Sequence, residues 1–236
     1  MARKIKIDNA ILKRQAYQKG KRQVGKRKQR KYILIVCEGE KTEPHYFEAI
    51  KNRFPQNALE TYNIDIEGTG TNTLKVVEIA DKLRKSAKKE FNRNYDEIWA
   101  VFDKDSFRSE RFNNAIFKAK EKKIHCAWSN EAFELWYILH FQYRNTAMSR
   151  QDYKKCLETE ISKKISEQTK KDTQFKYKKN SKEMYHILKT YGNEEQAIEW
   201  AKELKKHYED TNYSNHNPCT TVYALIERLN EIMEQE

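Results

Sequence analysis

Three carboxylates stand at the ends of two apolar, strand-like runs. Asp103 and Asp105 end the run DEIWAVFDKD with i, i+2 spacing, so both would project to one side if the strand conformation persists. Such a pair repels unless a cation or a shared proton intervenes, and its oxygen atoms suit a hard divalent ion, Mg²⁺ or Mn²⁺. A lone Asp-x-Asp is more often a pair of solvated loop aspartates. Glu38 changes this balance because it ends another strand-like run, and the carboxyl ends of parallel strands open on one edge, where the three acids can converge.

Two further acids lie near predicted helix starts. Glu43 follows Thr42, which fits an N-cap, and could serve only as a first-turn carboxylate facing the helix dipole, worth about 0.3–1 kcal/mol. Glu134 lies in the block FELW among aromatic and aliphatic residues, where a charged side chain is rarely unpaired. Its expected partner is either a Lys or Arg neighbour or the metal cluster. Glu40 is expected to face solvent.

Residue spacing excludes several other chemistries. The six histidines form no i, i+4 pair around an acid and the four cysteines form no CxxC pair, so a structural zinc site is not expected. The sequence contains neither a Walker A segment nor a G-x-S-x-G elbow. The GTGTNT turn lacks the third glycine of a dinucleotide loop. ATP hydrolysis and serine hydrolase chemistry are therefore set aside.

The elements that must position these acids alternate between strands and helices. Strands are predicted at 33–37, 62–66, 96–103 and 124–128, and helices at 43–53, 73–89, 110–123 and 131–141. This alternation requires a parallel sheet with right-handed crossovers, so the predicted fold class is α/β. Ser129 and Asn130 precede the last of these helices and are expected either to cap it or to contact substrate.

The composition shifts at about residue 146, beyond which no convincing strand appears. Helices are predicted at 150–168, 181–191, 194–208 and 219–234, the last entered through Asn217 and Pro218. The predicted organisation is a basic flexible arm (1–31), an α/β domain (32–145) and a helical C-terminal extension (146–236). The extension is expected to pack either on the sheet or against a partner.

The formal charge of +12 is concentrated in the arm. Residues 1–31 hold 13 of the 47 basic residues and one of the 35 acidic residues. The rest of the chain therefore has 34 basic and 34 acidic residues, whose charges balance. A run this one-sided favours a polyanion partner, most simply nucleic acid, over a solubilising tail. The residues expected to bind it are Lys21, Arg22, Lys26, Arg27, Lys28, Arg30 and Lys31.

The cysteine spacing and the hydropathy of the sequence indicate the cellular compartment of the protein. Unpaired cysteines within apolar runs fit reduced thiols that pack in a core, which indicates a reducing cytosol. The N-terminus lacks the apolar stretch of a signal peptide, and no run approaches the roughly 20 apolar residues that cross a bilayer. The expectation is a soluble, cytoplasmic protein that has no membrane partner.

Three strings resemble the RloB family: CEGEKTEPHYF, which contains Glu38, VFDKD, which contains Asp103, and SNEAFELWYILHF, which contains Glu134. Weaker similarity lies in KYKKN and NPCTTVYALIERL. Members of that family carry a Toprim-type domain, which pairs a glutamate after the first strand with an Asp-x-Asp after a later strand and binds magnesium, and they occur in bacterial defence loci. The resemblance implies a Toprim-like sheet, metal ligands at Glu38, Asp103 and Asp105, and a further ligand at Glu43.

Two hypotheses follow, with a third disfavoured. The first is a Mg²⁺-dependent nuclease, in which Asp103 and Asp105 hold metal, Glu38 is a ligand or general acid/base, and Glu43 and Glu134 are further ligands. The resemblance implies an antiphage, abortive-infection effector beside a separately encoded ATPase, with DNA, RNA or tRNA as substrate. The second is a non-catalytic subunit that binds nucleic acid or docks a partner. A haloacid-dehalogenase-like phosphatase is disfavoured because its nucleophilic Asp belongs to a motif after the first strand.

Overall fold

Four parallel strands form the centre of the fold, and a short antiparallel strand extends the sheet at one edge. The computed structural model describes residues 30–105 and 108–234. Within these residues the strand order is β2-β1-β3-β4-β5, with only β5 antiparallel to its neighbour. The strand bounds are Lys31–Cys37 (β1), Tyr62–Gly68 (β2), Glu97–Asp103 (β3), His125–Asn130 (β4) and Cys219–Thr220 (β5). The predicted α/β class, consistent with a Toprim-like fold, is confirmed.

Helices cover both faces of the sheet. Their bounds are Thr42–Lys51 (α1), Gln56–Thr61 (α2), Thr73–Phe91 (α3), Ser109–Glu121 (α4), Glu134–Ile138 (α5), Arg150–Thr169 (α6), Met184–Tyr191 (α7), Glu194–Lys206 (α8) and Val222–Glu234 (α9). Strand β1 is buried on both faces, because Ile33 and Ile35 join one core while Leu34 and Val36 join the other. This explains its unbroken apolar run. The second core is completed by α3 and α4.

The C-terminal extension packs on the sheet. Its apolar residues, including Tyr153, Leu188, Leu204 and Leu229, share one core with α1 and α5. The prediction that the last helix starts at Cys219 is wrong, because Cys219 and Thr220 first pair with β4 and the helix begins at Val222. The predicted absence of a strand after residue 146 is wrong for the same reason.

The basic arm lies almost entirely outside the described residues, and so do Lys21, Arg22, Lys26, Arg27 and Lys28. The two remaining residues assigned to it belong to the folded part. Arg30 Nη2 donates a hydrogen bond to Leu59 O (2.9 Å), and Lys31 begins β1 with its ammonium group 5.3 Å from the centre of the Tyr62 ring. No helix in the described part of the chain combines the length and apolar character needed to span a membrane.

Candidate active site at the carboxyl edge of the sheet

Glu38 follows the last residue of β1 and reaches across to β3. Its backbone N–H donates to Val101 O (2.8 Å), which fixes the turn on the neighbouring strand. Its carboxylate accepts from Asp103 N (3.0 Å) and from Thr73 Oγ1 at the start of α3 (3.4 Å). The ends of β1 and β3 and the start of α3 therefore meet at this side chain, as parallel pairing of the two strands predicts.

Glu43 is buried in the first turn of α1 and lies against the turn that follows Glu38. A Cβ atom on Gly39 would collide with the Glu43 carboxylate, so only glycine leaves room for the acid in this position. Thr42 is not the predicted N-cap, because it lies inside the helix and its hydroxyl donates to Lys179 O (2.8 Å). Glu40 is exposed, as expected.

Asp103 is the last residue of β3, and one of its carboxylate oxygen atoms has no hydrogen-bond partner among the described residues. Its Oδ1 is shielded from solvent and accepts no hydrogen bond from any described residue. An unpaired carboxylate oxygen in such a place is costly unless a proton or a cation occupies it. The Phe133 N–H stabilises the charged form of the same side chain.

Asp105 does not project beside Asp103, so the strand conformation assumed for the Asp-x-Asp pair does not persist. Strand β3 ends at Asp103, and Asp105 adopts a left-handed backbone conformation with φ of 42°. Its carboxylate pairs with Arg150 at the start of α6 (3.1 Å). Asp105 still lies near enough to Glu38 to raise the pKa of that carboxyl. The two aspartates thus belong to one site but have different partners.

Glu134 is buried at the start of α5. Among the described residues its hydrogen-bond partner is not a Lys or an Arg but Tyr177, whose Oη donates to Glu134 Oε1 (2.8 Å). Its charge raises the pKa of Asp103 and Glu43, which shows that it lies near these two acids. Ser129 and Asn130 do not cap α5: Ser129 bonds to Thr220 (2.9 Å) and Asn130 donates to Ser214 O (2.9 Å), which ties β4 to the C-terminal segment.

These five acids are called the acidic cluster below, and their charges act on Glu38, Glu43 and Asp103. Burial, together with the smaller effects of the Glu43 and Asp105 charges, raises the pKa of Glu38 to about 7, although hydrogen bonds from Asp103 N and Thr73 act in the opposite direction. Burial also raises the pKa of Asp103 and of Glu43, and nearby carboxylates add to both effects. Such mutual repulsion among buried acids is typical of a site that holds a cation or a catalytic proton.

The donor chemistry of the acidic cluster fits a hard divalent cation, because all its donors are carboxylate oxygen atoms and the buried Oδ1 of Asp103 has no hydrogen-bond partner among the described residues. The described residues do not, however, contain three His, Cys, Asp or Glu side chains already arranged around one point. Asp105 is instead paired with Arg150.

Sequence reasoning missed the residues that the C-terminal extension brings to the acidic cluster. Tyr177 bonds to Glu134, Lys179 lowers the pKa of Glu43 through its charge, and Arg150 pairs with Asp105. The similarity of KYKKN to the family strings was the one available signal for Tyr177 and Lys179. No local pattern marks Arg150.

The raised pKa of Glu38 predicts that folding becomes less favourable as pH rises from about 4.5 to about 7. Over this range the folded state binds more protons than the unfolded state, so the free energy of unfolding falls by up to about 3 kcal/mol from this group. Urea denaturation at pH 5 and pH 8 without divalent ions would measure the loss. The loss should be smaller in Glu38→Gln and unchanged in Glu60→Gln, an exposed control. Equal losses in all three proteins would contradict the assignment.

Comparisons with curated proteins and with solved structures found no match. A family model described as RloB-like protein matches residues 33–229, a span that contains all five acids of the cluster together with Arg150, Tyr177 and Lys179. The match extends well beyond the sheet, through the C-terminal extension that packs on it. The chain therefore belongs to the RloB-like protein family.

Proposed function

We propose that this protein is a Mg²⁺- or Mn²⁺-dependent nuclease that hydrolyses phosphodiester bonds of nucleic acid. The observation that carries the proposal is the acidic cluster at the carboxyl edge of the sheet, in which Asp103 keeps a buried carboxylate oxygen without a partner. Buried acids that raise one another's pKa have little structural value, and a divalent ion would remove their repulsion.

The acids of the cluster would have different roles according to their positions. Asp103, Glu38 and Glu43 would hold the metal, while Glu134 and Asp105 would serve as further ligands. A bound Mg²⁺ supplies neutralisation of charge on the scissile phosphate and orientation of water. Glu38 is held by Asp103 N and Thr73 and has a pKa of about 7, so it can also accept or return a proton near neutral pH.

Membership of the RloB-like family supports the biological part of the proposal. We place the nuclease in antiphage defence, as an abortive-infection effector that works with a separately encoded ATPase, and its substrate is DNA, RNA or tRNA. Its place of action is the cytoplasm, where the unpaired cysteines stay reduced.

Metal binding provides a direct test. Mg²⁺ or Mn²⁺ should raise the melting temperature of the wild-type protein, since a ligand that binds only the folded state stabilises it by mass action. Chelation should abolish cleavage of labelled DNA and RNA. Cleavage that survives chelation would contradict the metal role. If no substrate is cleaved even with the ATPase present, the protein is a non-catalytic docking subunit instead.

Removing residues 1–29 should weaken nucleic-acid binding and leave the fold intact. If about six charges of the arm contact duplex phosphates, the slope of log affinity against log salt should fall in magnitude by roughly 5. Fluorescence anisotropy across a salt series measures this slope, and circular dichroism checks the fold. An unchanged slope would show that the arm serves another purpose.

A further inference from the structure

A second basic segment lies beside the acidic cluster, within the folded part of the chain. Residues 170–182, called the basic strap below, make up the connection from α6 to α7 except for its last residue, Glu183, and contain six lysines against Asp172 alone. The six are Lys170, Lys171, Lys176, Lys178, Lys179 and Lys182, and all are exposed. Because the chain beyond residue 31 is balanced in charge overall, this is a local concentration of positive charge.

Residues 173–177 of the basic strap run along α6. The backbone N–H groups of Thr173, Phe175 and Tyr177 donate to side chains one helical turn apart: Ser166 (3.0 Å), Ser162 (2.9 Å) and Glu158 (3.0 Å). The residue that follows each of these three donors, Gln174, Lys176 or Lys178, is exposed. This alternation is that of an extended segment with one face on α6 and the other in solvent, which places Lys176 and Lys178 about 7 Å apart on the free face.

The end of the basic strap is fastened to the site itself. Tyr177 Oη donates to Glu134 Oε1 (2.8 Å), Lys179 O accepts from Thr42 Oγ1 (2.8 Å), and the Lys179 charge lowers the pKa of Glu43. Lys176 and Lys178 flank Tyr177 in sequence, so these two exposed lysines lie on either side of the residue that contacts Glu134. Five hydrogen bonds thus fix the basic strap to α6 and to the site, and a loop that only improved solubility would not require them.

We infer that the basic strap binds the phosphate backbone of the nucleic acid and leads it to the acidic cluster. An acidic cluster repels a polyanion, and fixed lysines beside it offset that repulsion and hold the strand in place. Contacts of this kind position the backbone without reading sequence. The inference deepens the proposed function and rests on its nucleic-acid substrate.

The test compares two full-length variants that lose the same charge. One carries Lys→Gln at strap positions 171, 176, 178 and 182; the matched control carries Lys→Gln at the exposed positions 88, 89, 120 and 206. Lys179 is left intact because it acts on Glu43. Anisotropy of a labelled oligonucleotide, measured with chelator at about 50–200 mM salt, reports binding without cleavage.

Four lost phosphate contacts should lower the magnitude of the salt slope by roughly 3 in the strap variant and weaken binding at least about tenfold. The control should bind within about threefold of wild type. A third variant with Lys→Arg at the four strap positions should bind nucleic acid as tightly as wild type, because it keeps the charge. Weaker binding by this variant would overturn the inference. Equal weakening of binding in the strap and control variants would also overturn it.

These measurements distinguish failure of the basic-strap inference from failure of the nuclease proposal. Loss of binding in the strap variant without any wild-type cleavage would support the binding surface and contradict the enzyme proposal. Metal-dependent cleavage with unaltered strap-variant binding would support the enzyme and overturn the strap inference. Where both hold, the strap variant should raise KM and leave kcat near wild type, because its lysines bind substrate and transition state alike.

Discussion

Replacing Asp103 with Asn should reduce cleavage by about a thousandfold or more while leaving the protein as stable as wild type or slightly more stable. Asp103 provides the unpartnered buried oxygen on which the metal proposal depends. The substitution keeps the shape of the side chain but removes a charge that Glu43, Glu134 and Glu38 oppose. Relief of that repulsion favours folding, whereas loss of a metal ligand removes an interaction needed in the transition state.

Three measurements on the Asp103→Asn protein decide the matter: melting temperature with and without Mn²⁺, nuclease activity, and nucleic-acid binding. The metal-induced rise in melting temperature should disappear and binding should persist, since the basic segments remain. Glu60→Gln removes one exposed charge and controls for net charge. An Asp103→Asn protein that unfolds yet keeps its specific activity per folded molecule would refute the assignment.

The companion variants Glu38→Gln and Asp105→Asn should behave differently from each other. Glu38→Gln should resemble Asp103→Asn, because burial and, to a smaller extent, neighbouring carboxylates raise the pKa of Glu38 and so disfavour its charged form. Asp105→Asn should not gain stability, since it breaks the ion pair with Arg150. That ion pair is partly exposed and so is worth little, about 0–1 kcal/mol. A clear gain in stability for Asp105→Asn would contradict the assigned pairing.

The second large effect is expected for Gly39→Ala, a change of one methyl group. The new Cβ would occupy the position of the Glu43 carboxylate, and the end of that side chain can move where backbone cannot. The fold should therefore survive, with a change in melting temperature of only a few degrees, while cleavage falls about a hundredfold because a ligand is displaced. Activity and thermal unfolding of the purified variant measure the two effects.

A double-mutant cycle gives this prediction its control. In a Glu43→Ala background, Gly39→Ala should cost little further activity, because the displaced carboxylate is already absent. Gly68→Ala offers a contrast, since its Cβ would lie 2.8 Å from Gly39 O and 2.9 Å from the Glu40 backbone. That change should destabilise the fold by about 1–3 kcal/mol as well as lower cleavage. Additive losses for Gly39→Ala and Glu43→Ala would show that the two act independently.

Local patterns in the sequence determined the sheet and the acids at its edge. The apolar runs that end at Cys37 and Phe102 are short, rich in β-branched and aromatic residues and typical of buried strands. Parallel strands bring their carboxyl ends together, so the sequence predicts the closeness of Glu38 to Asp103 that the structure shows. Helix positions likewise follow from apolar periodicity, as for α3, where the N-cap side chain of Asn72 marks the first residue.

Only the tertiary structure decided which groups surround those acids. Tyr177 meets Glu134 across 43 positions and Lys179 meets Thr42 across 137, contacts that no periodicity of 2 or 3.6 residues encodes. The same holds for β5, whose two residues pair with β4 because Ser129 bonds to Thr220, and for Asp105, which leaves the strand to pair with Arg150. Periodic patterns specify which face of an element is buried. The partner of each buried polar group depends on how distant elements pack. Removing such a group from water costs free energy that a hydrogen bond must offset, and only the tertiary structure decides which donor lies within reach.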